Sequence, residues 1–580
     1  MKKLYVVLSV ACACMTAGCD KKDILNTTAK DRIDAENFFN TATDLEVYTN
    51  GFYDMLPNTD VYLDDTYSDN IIPLIVDERV KGARVVPASS ANTGWTWEHL
   101  RSINYFLQHY RKCPDEAAKL QFGGIARFFR AYFYYNKVKT FGDVPWYNKV
   151  LEADDPDLYK ARDSRKLVMD SVLADINDAV ASIPAAVQLN RVTKYTALLL
   201  KARICLFEGT FRKYHHLGDH EKFLAEAASA ADELIASGAY TLYTAGGVNE
   251  CYRDLFARTD QDATESILVR DYNPVYGRHG LSYLMTSPTA GVYGIPKDMI
   301  NSYLMKDNSR FTDIPGYNTM EYYEEMQDRD PRLTQTTPGP EFTAYRETAR
   351  EPVNLGITTT GYRVIKALTT RDQWGPVSSY NDIIIFRYAE ALLVLAEAKA
   401  ELGTLTQADL DRSINKLRQR VGMPGLDMAA ANSHPDPYME AMYPNIDQGP
   451  NKGVLLEIRR ERRIEMFNEG LRWDDLMRWK EGKKLEKPMV GMYFPSLGAF
   501  DFNNDGQADV YLHDGDPSGA PPGTTSIINV NQKRLTNTTS GYFNPLYSTP
   551  RVFDESKDYF YPIPLEDLTL NKHLEQNPNW

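Results

Sequence analysis

Ile125-Ala126-Arg127-Phe128-Phe129-Arg130-Ala131-Tyr132-Phe133-Tyr134-Tyr135, followed after a short gap by Phe141-Gly142-Asp143-Val144-Pro145, is the stretch that sets the fold class. Ile125, Phe128, Phe129 and Tyr132 stand at i, i+3, i+4 and i+7, the spacing of one buried helical face. Ala126 and Ala131 are small enough to let a neighbouring helix approach. Gly142 and Pro145 end the helix.

The same pattern recurs on both sides. Asp44 to Leu56 is helical up to Pro57. Ser164 to Ile183 is the next long helix, with Asp163 or Ser164 as its cap and Pro184 beyond its end. Tyr195, Leu198, Leu199, Ala202 and Leu206 make a stripe that stops near Gly209. Phe223, Ala227, Ala230, Ala231 and Leu234 answer it and stop at Gly238. Helical order is lost from Ala245 to Tyr380, which reads as loops with a few short helices and strands. It returns at Asp382: Tyr388, Ala391, Leu392, Leu395, Ala398 and Leu402 form one face. Gly403-Thr404-Leu405-Thr406 turns the chain, and Leu410, Ile414, Leu417 and Val421 form the answering face. A further helical stretch spans 451–481. The expected class is all-α, built from degenerate tetratricopeptide-type hairpins with an irregular, loop-rich region. Such a scaffold holds things and implies no chemistry.

The chain begins with two lysines, an apolar run from Leu4 and then Thr16-Ala17-Gly18-Cys19. A basic start, a short apolar run and small residues at a cut site make a secretory signal. The run is too short to cross a bilayer. Small residues directly before a cysteine resemble the bacterial lipobox, which implies cleavage after Gly18 and acylation of Cys19. Asp20 to Lys30 then reads as a polar tether. The expected layout is a signal peptide at 1–18, a tether at 19–30, an N-terminal region at 31–240 and a C-terminal region at 241–580.

Bulk numbers narrow the function. The 580 residues are 43% apolar and 25% charged, with a net charge of −14. An acidic chain is a poor nucleic-acid partner. Beyond the signal, Cys113, Cys205 and Cys251 remain besides Cys19; this is no disulfide scaffold and no zinc spacing occurs. Cys205 lies on an apolar helix face and reads as core. The 37 tyrosines suit interfaces and sugar faces.

Four stretches together resemble one family. They are the 126–135 and 141–145 motifs, Arg387-Tyr388-Ala389-Glu390-Ala391-Leu392-Leu393 with Ala396-Glu397-Ala398, and Ile458-Arg459-Arg460-Glu461-Arg462-Arg463-Ile464-Glu465 with Gly470-Leu471-Arg472-Trp473-Asp474-Asp475-Leu476-Met477-Arg478-Trp479. The last is Tyr561-Pro562-Ile563-Pro564 with Leu574-Glu575-Gln576-Asn577-Pro578-Asn579-Trp580. In this order, behind a lipobox, they resemble the SusD/RagB nutrient-binding outer-membrane lipoproteins. The resemblance implies a helical fold, a lipid anchor on Cys19 in the outer membrane facing the exterior, and no catalysis. It also implies a SusC-like TonB-dependent transporter as partner and a glycan or other nutrient as ligand. The competing classes are a surface glycosidase, for which no motif is present, and a helical scaffold that binds only protein.

Read from the residues alone, the charges of 457–478 pair along helices: Glu457 with Arg460, Arg462 with Glu465, Asp474 with Arg478. They are expected as a network at a helix packing site or at the transporter contact. Pro562 and Pro564 hold an extended, docked tail, with a turn starting at Asn571. For ligand capture the irregular regions supply Tyr67, Asp69, Asn70, Trp95 and Trp97, then Tyr293 and Trp374. Trp and Tyr stack on sugar faces, while Asp and Asn exchange hydrogen bonds with hydroxyls. The family's shared motifs do not mark these positions. Asp501, Asn503, Asp505, Gln507 and Asp509, with Gly506 at position 6, match a calcium loop, but Leu512 stands where an EF-hand has its glutamate. A non-EF loop holding a structural Ca²⁺ and a metal-free Asx turn both fit; no cofactor is required. His216 and His220 could share a helix face, but Gly218 between them argues for a boundary.

Overall fold

The computed structural model describes residues 37–580; the signal, Cys19 and the tether lie outside the described residues. The chain is predominantly helical. α1 (Ala42–Asn50) and α2 (Glu98–His109) precede the long α3 (Glu116–Phe141), in which Ala126, Phe128, Phe129 and Ala131 are fully buried. The Asp115 carboxylate caps α3 by accepting the Ala118 N–H at 3.0 Å, and Gly142, at φ +74°, ends it. Its partner is α4 (Arg165–Ser182), capped by Ser164. Between the two, Arg130 grips Asp175 with a two-pronged pair at 2.7 Å per bond.

α5 (Lys194–Tyr214) and α6 (His220–Ala236) form the next hairpin. The sequence places the end of α5 near Gly209, but the helix continues to Tyr214. Gly209 is there for closeness rather than termination: a Cβ would meet the Leu224 side chain at 2.8 Å. Cys205 is fully buried in this hairpin, and burial pushes its thiol pKa up.

The helical restart expected at Asp382 is also corrected. Ile383–Arg387 is strand β2, paired antiparallel with β1 (Ser266–Arg270), and the helix α7 (Tyr388–Glu401) starts directly after it. The run Ile-Ile-Ile-Phe is β-branched and buried on both faces, which favours a strand. Gly403, at φ +72°, then turns the chain as expected, and Leu410, Ile414 and Leu417 are fully buried.

α8 (Lys452–Glu465) and α9 (Arg472–Arg478) carry the dense charges, and here the structure departs most from the expectation. Glu457, Arg459, Arg460, Glu461, Arg462, Arg463 and Glu465 are all buried. Glu457 does pair with Arg460 at 3.3 Å. Arg462, however, pairs with Asp475 (2.9 Å), not Glu465. Arg478 takes Asp475 and Glu397, while Asp474 reaches across to Lys139 on α3. Glu465 receives Arg332, Arg387 and Arg420, which come from three distant segments. A network this deep joins loops, β2 and helices to one another and offers no face to a transporter. Fully buried Arg459 has its guanidinium over Trp479 (4.3 Å) and Tyr214 (5.0 Å).

The tail docks as expected. After Pro564 a short helix, α10 (Leu565–Leu570), is followed by a turn in which Leu574 N–H donates to the Asn571 carbonyl. The Asn577 amide donates to the Phe141 and Tyr561 carbonyls at 3.0 and 2.7 Å. Among the described residues, no helix is long and apolar enough to cross a membrane.

Candidate functional site

The loop-rich region brings Tyr67 and Tyr293 side by side and sets Trp374 in a cleft of its own. Ile72 and Gly294 exchange backbone hydrogen bonds at 2.7 and 3.0 Å, and Gly294 also bridges to Arg363. A Cβ on Gly294 would lie 2.3 Å from Thr359 Oγ1, so only glycine lets these strands of chain meet. Tyr293, beside it, is half-buried. Burial, and then the neighbouring phenol of Tyr67, push the Tyr293 hydroxyl up to about 12. Tyr67 in turn carries the Arg79 guanidinium over its ring at 3.2 Å, and Arg79 is held by Asp77 at 2.8 Å.

Buried Arg363, bridged to Gly294 through its backbone, has its guanidinium 5.7 Å from the ring centre of Trp374, and that of Arg371 lies 4.8 Å from it. Trp374 anchors its edge by donating Nε1–H to the Thr369 carbonyl at 2.9 Å, which leaves a fixed ring. Trp374, Arg363, Arg371, Glu351 and Asn354 line a cleft of about 400 Å³. Arg363 donates Nε–H to the Met285 carbonyl, but its Nη2 has no partner. Burial holds its pKa down to about 10. A fixed aromatic face beside an unspent planar donor and a carboxylate suits a ring bearing hydroxyls. Among the loops Leu74, Ile75, Val275, Tyr276 and Val377 are exposed, at 61%, 83%, 75%, 90% and 64%, and Leu74 N–H donates to the Gly291 carbonyl at 3.4 Å.

The other four candidates lie elsewhere. Asp69 and Asn70 are each 1% exposed and belong to the ion network, which corrects their reading as ligand contacts. Asp69 takes Arg472 (2.7 Å), Arg463 (3.0 Å) and Lys484 (3.1 Å), and Asn70 accepts from Arg463 and donates to Asp65. Burial alone would raise the Asp69 pKa; the three cations overcome it and hold the carboxyl well below the usual range. Trp95 is 3% exposed and packs on Phe141 at 4.9 Å, yet it lines the same pocket as Trp97. Trp97, half-buried, stands edge-on to Trp95 and Tyr147 in a separate pocket of about 560 Å³. Lys137 sits behind it, 4.9 Å from the ring, and donates to the Gly94 and Thr96 carbonyls.

Arg79, Arg363, Arg371 and Glu351 escaped the sequence reading. Nothing local marks an arginine such as Arg363, whose hydrogen-bond acceptor Met285 is 78 residues away by chain; the one usable signal was the density of Gly and aromatic residues around them.

In the Asp501–Asp509 loop the Asp501 carboxylate accepts the Asn503, Asp505 and Gly506 N–H groups, the last at 2.7 Å. Asp509 accepts the Phe502 N–H, and its carboxyl pKa is raised by burial and then by Asp505 and Asp501. Leu512 is buried in a short strand, Val510–His513, as an EF-hand glutamate could not be. No group of three His, Cys, Asp or Glu side chains close enough to hold a metal occurs among the described residues, the histidines at 215–220 included.

A family model described as the SusD family matches residues 257–580. A SusD-like protein, P38, from Formosa agariphila is 24% identical over 400 residues, covering 64% of this chain and 69% of its own. The fold is similar to a SusD-like protein from Bacteroides fragilis at TM-score 0.68 and 22% identity, covering 94% of this chain and 99% of that one. It is similar also to a SusD-like carbohydrate-binding protein from the same species at TM-score 0.67 and 21% identity, covering 93% and 100%.

Proposed function

The chain belongs to the SusD family, and from that premise we propose that it captures glycans or other nutrients outside the cell and hands them to a SusC-like TonB-dependent outer-membrane transporter. The observation that carries this reading is the cleft at Trp374: a fixed indole face with the unpartnered Nη2 of Arg363 beside it. The carbohydrate-binding relative from Bacteroides fragilis supports the ligand class. The exposed apolar side chains of the loops, Leu74, Ile75, Tyr276 and Val377, suit docking on a barrel rim, so that ligand lies between the two proteins. Cys19, acylated, would hold the chain to the membrane while the tether leaves it free to move as a lid.

The test is affinity electrophoresis of the full chain against a glycan panel, with Trp374→Ala as control. Loss of one stacking face lowers affinity about tenfold while the melting temperature stays put. Retardation by no glycan, together with recovery of a barrel protein from solubilised membranes, favours the protein-binding scaffold instead. Release of sugar from a polysaccharide by the pure protein favours the glycosidase.

A further inference from the structure

A third concavity, of about 540 Å³, lies between the C-terminal tail and the start of α4, apart from the clefts at Trp374 and Trp97. In a chain of net charge −14 its walls are basic: Arg162, Arg165, Lys166, Arg212 and Lys557 stand against Asp143 and Glu555. Part of that charge is spent. Fully buried Glu208 takes Arg165 and Arg212, each at 2.6 Å, and Lys166 reaches Asp219. Arg162 and Lys557 have no carboxylate partner among the ion pairs of the described residues. Arg162 donates to neutral oxygens, Asn577 Oδ1 at 2.6 Å and the Asp143 carbonyl at 3.5 Å. Burial holds its pKa below the ordinary arginine value, against the pull of Asp143 and Glu575. Arg212 is 4% exposed, and its Nη2 has no hydrogen-bond acceptor.

The start of α4 adds to this. Ser164, Arg165 and Lys166 open an 18-residue helix at the pocket wall, where the positive end of the helix dipole lies. The Asp143 carboxylate is occupied by the Arg165 N–H at 2.7 Å. His215 adds no charge: burial pushes its pKa down to about 4, and its Nε2 lies 2.9 Å from the Met477 carbonyl. So a buried guanidinium edge and two cations without a carboxylate partner line one cavity, Lys557 with its ammonium 4.5 Å over the Trp580 ring, beside a helix N-terminus whose Arg165 and Leu167 N–H groups are already taken by Asp143 and Ser164. A neutral sugar hydroxyl answers such a set poorly. An oxyanion answers it with charge-assisted hydrogen bonds.

We propose that this pocket binds an oxyanion carried by a glycan, a sulfate or carboxylate group, held by Arg162, Arg212 and Lys557 at the start of α4. The identity of the carrier rests on the glycan-capture reading; the anion site stands on the pocket's own groups.

The experiment uses the full chain in detergent. The melting temperature is followed in sodium sulfate and in sodium chloride at equal ionic strength. Sulfate at about 20 mM is expected to add about 2 °C over chloride, and Arg162→Gln with Lys557→Gln to remove most of that gain. Lys166→Glu, on a side chain 66% exposed, gives the same loss should the double variant fail to fold. A chondroitin sulfate tetrasaccharide, which bears both groups, is then compared with its desulfated, carboxyl-reduced form. The charged form binds about tenfold tighter, and excess sulfate erases the preference. Equal effects of sulfate and chloride, or a sulfate effect untouched in the variants, overturn the site. A sulfate effect with no discrimination between the saccharides overturns the glycan assignment and leaves a free inorganic anion as ligand. If neither saccharide binds while the sulfate effect persists, the glycan assignment fails and the anion site survives, while the capture reading is decided by the glycan panel and Trp374→Ala.

Discussion

Glu465→Gln is the sharpest test of what holds the molecule together. Glu465 is fully buried, and three guanidinium groups from separate parts of the chain meet on its two oxygens. Oε1 accepts Arg387 at 2.7 Å and Arg420 at 2.8 Å; Oε2 accepts Arg420 at 2.6 Å and Arg332 at 3.0 Å. Glutamine keeps one oxygen but turns the other into an NH₂ that faces arginine donors. Two charge-assisted bonds are lost at about 1.5–3 kcal/mol each. The arginines also keep a surplus of buried positive charge, and breaking a buried pair typically costs about 3–5 kcal/mol. We expect about 4 kcal/mol, read by urea unfolding. With an unfolding entropy of about 2.1 cal/mol/K per residue over more than 500 residues, the melting temperature falls only about 4 °C, so denaturant is the better assay. Glu341→Gln is the control: its pair with Arg350 is 66% and 53% exposed, and such pairs contribute within about 1 kcal/mol. The pH sign follows. Burial would raise the Glu465 carboxyl, but Arg420, Arg387 and Arg332 hold it well below its ordinary value. Its contribution is therefore present above a pH of about 4.3 and lost as pH falls through the lower folded value. A loss below about 1 kcal/mol, no larger than that of Glu341→Gln, would refute the reasoning, because the cluster would then be an incidental one.

Other tests reach different parts of the chain. Cys19→Ala releases the protein from membranes into the soluble fraction; retention there rules out the lipobox. Glu481 behaves oppositely to Glu465: burial pushes its carboxyl up to about 7 against Arg459, so its contribution is present below about pH 4.5 and lost as pH rises through 7. Glu481→Gln should flatten the stability profile by roughly 2–3 kcal/mol between pH 5 and 8, and an unchanged profile means the group is ionised at low cost. In the Asp501–Asp509 loop the Asp501 carboxylate is taken by backbone N–H groups and no three carboxylates lie close enough to hold a metal, so we expect saturating Ca²⁺ to leave the melting temperature of the EDTA-treated chain unchanged, and a rise of about 2 °C would restore the calcium loop. No shift leaves a metal-free Asx turn.

Helices were legible where one face is apolar over several turns. The stripes at 125–129, 198–206 and 410–421 are buried as their spacing requires, but Tyr132 and Tyr195 stay partly exposed, and Phe133, Tyr134 and Tyr135, outside the first stripe, are buried too. What misled was residue type without context. Gly209 looked like a stop and is a point of close packing; Ile383–Phe386 looked like the start of a helix and is a buried strand. Of the candidate ligand residues, Tyr67 and Tyr293 became neighbours and Trp374 lines a cleft, whereas Asp69, Asn70 and Trp95 are buried.

The sequence by itself determined the helical scaffold and the family through its motifs, and it alone carries the expectation of a lipidation signal at Cys19. Those rest on periodicity and on short contiguous motifs, which need no partner to be read. Only the tertiary structure decided that the Arg- and Glu-rich stretch at 457–478 is interior, that Asp69 is one of its counter-charges, and that Arg363 stands beside Trp374. A charge is stable in the core only when its counter-charge arrives from elsewhere in the chain, and a ligand surface exists only where distant loops meet. Neither arrangement has a local signature in the sequence.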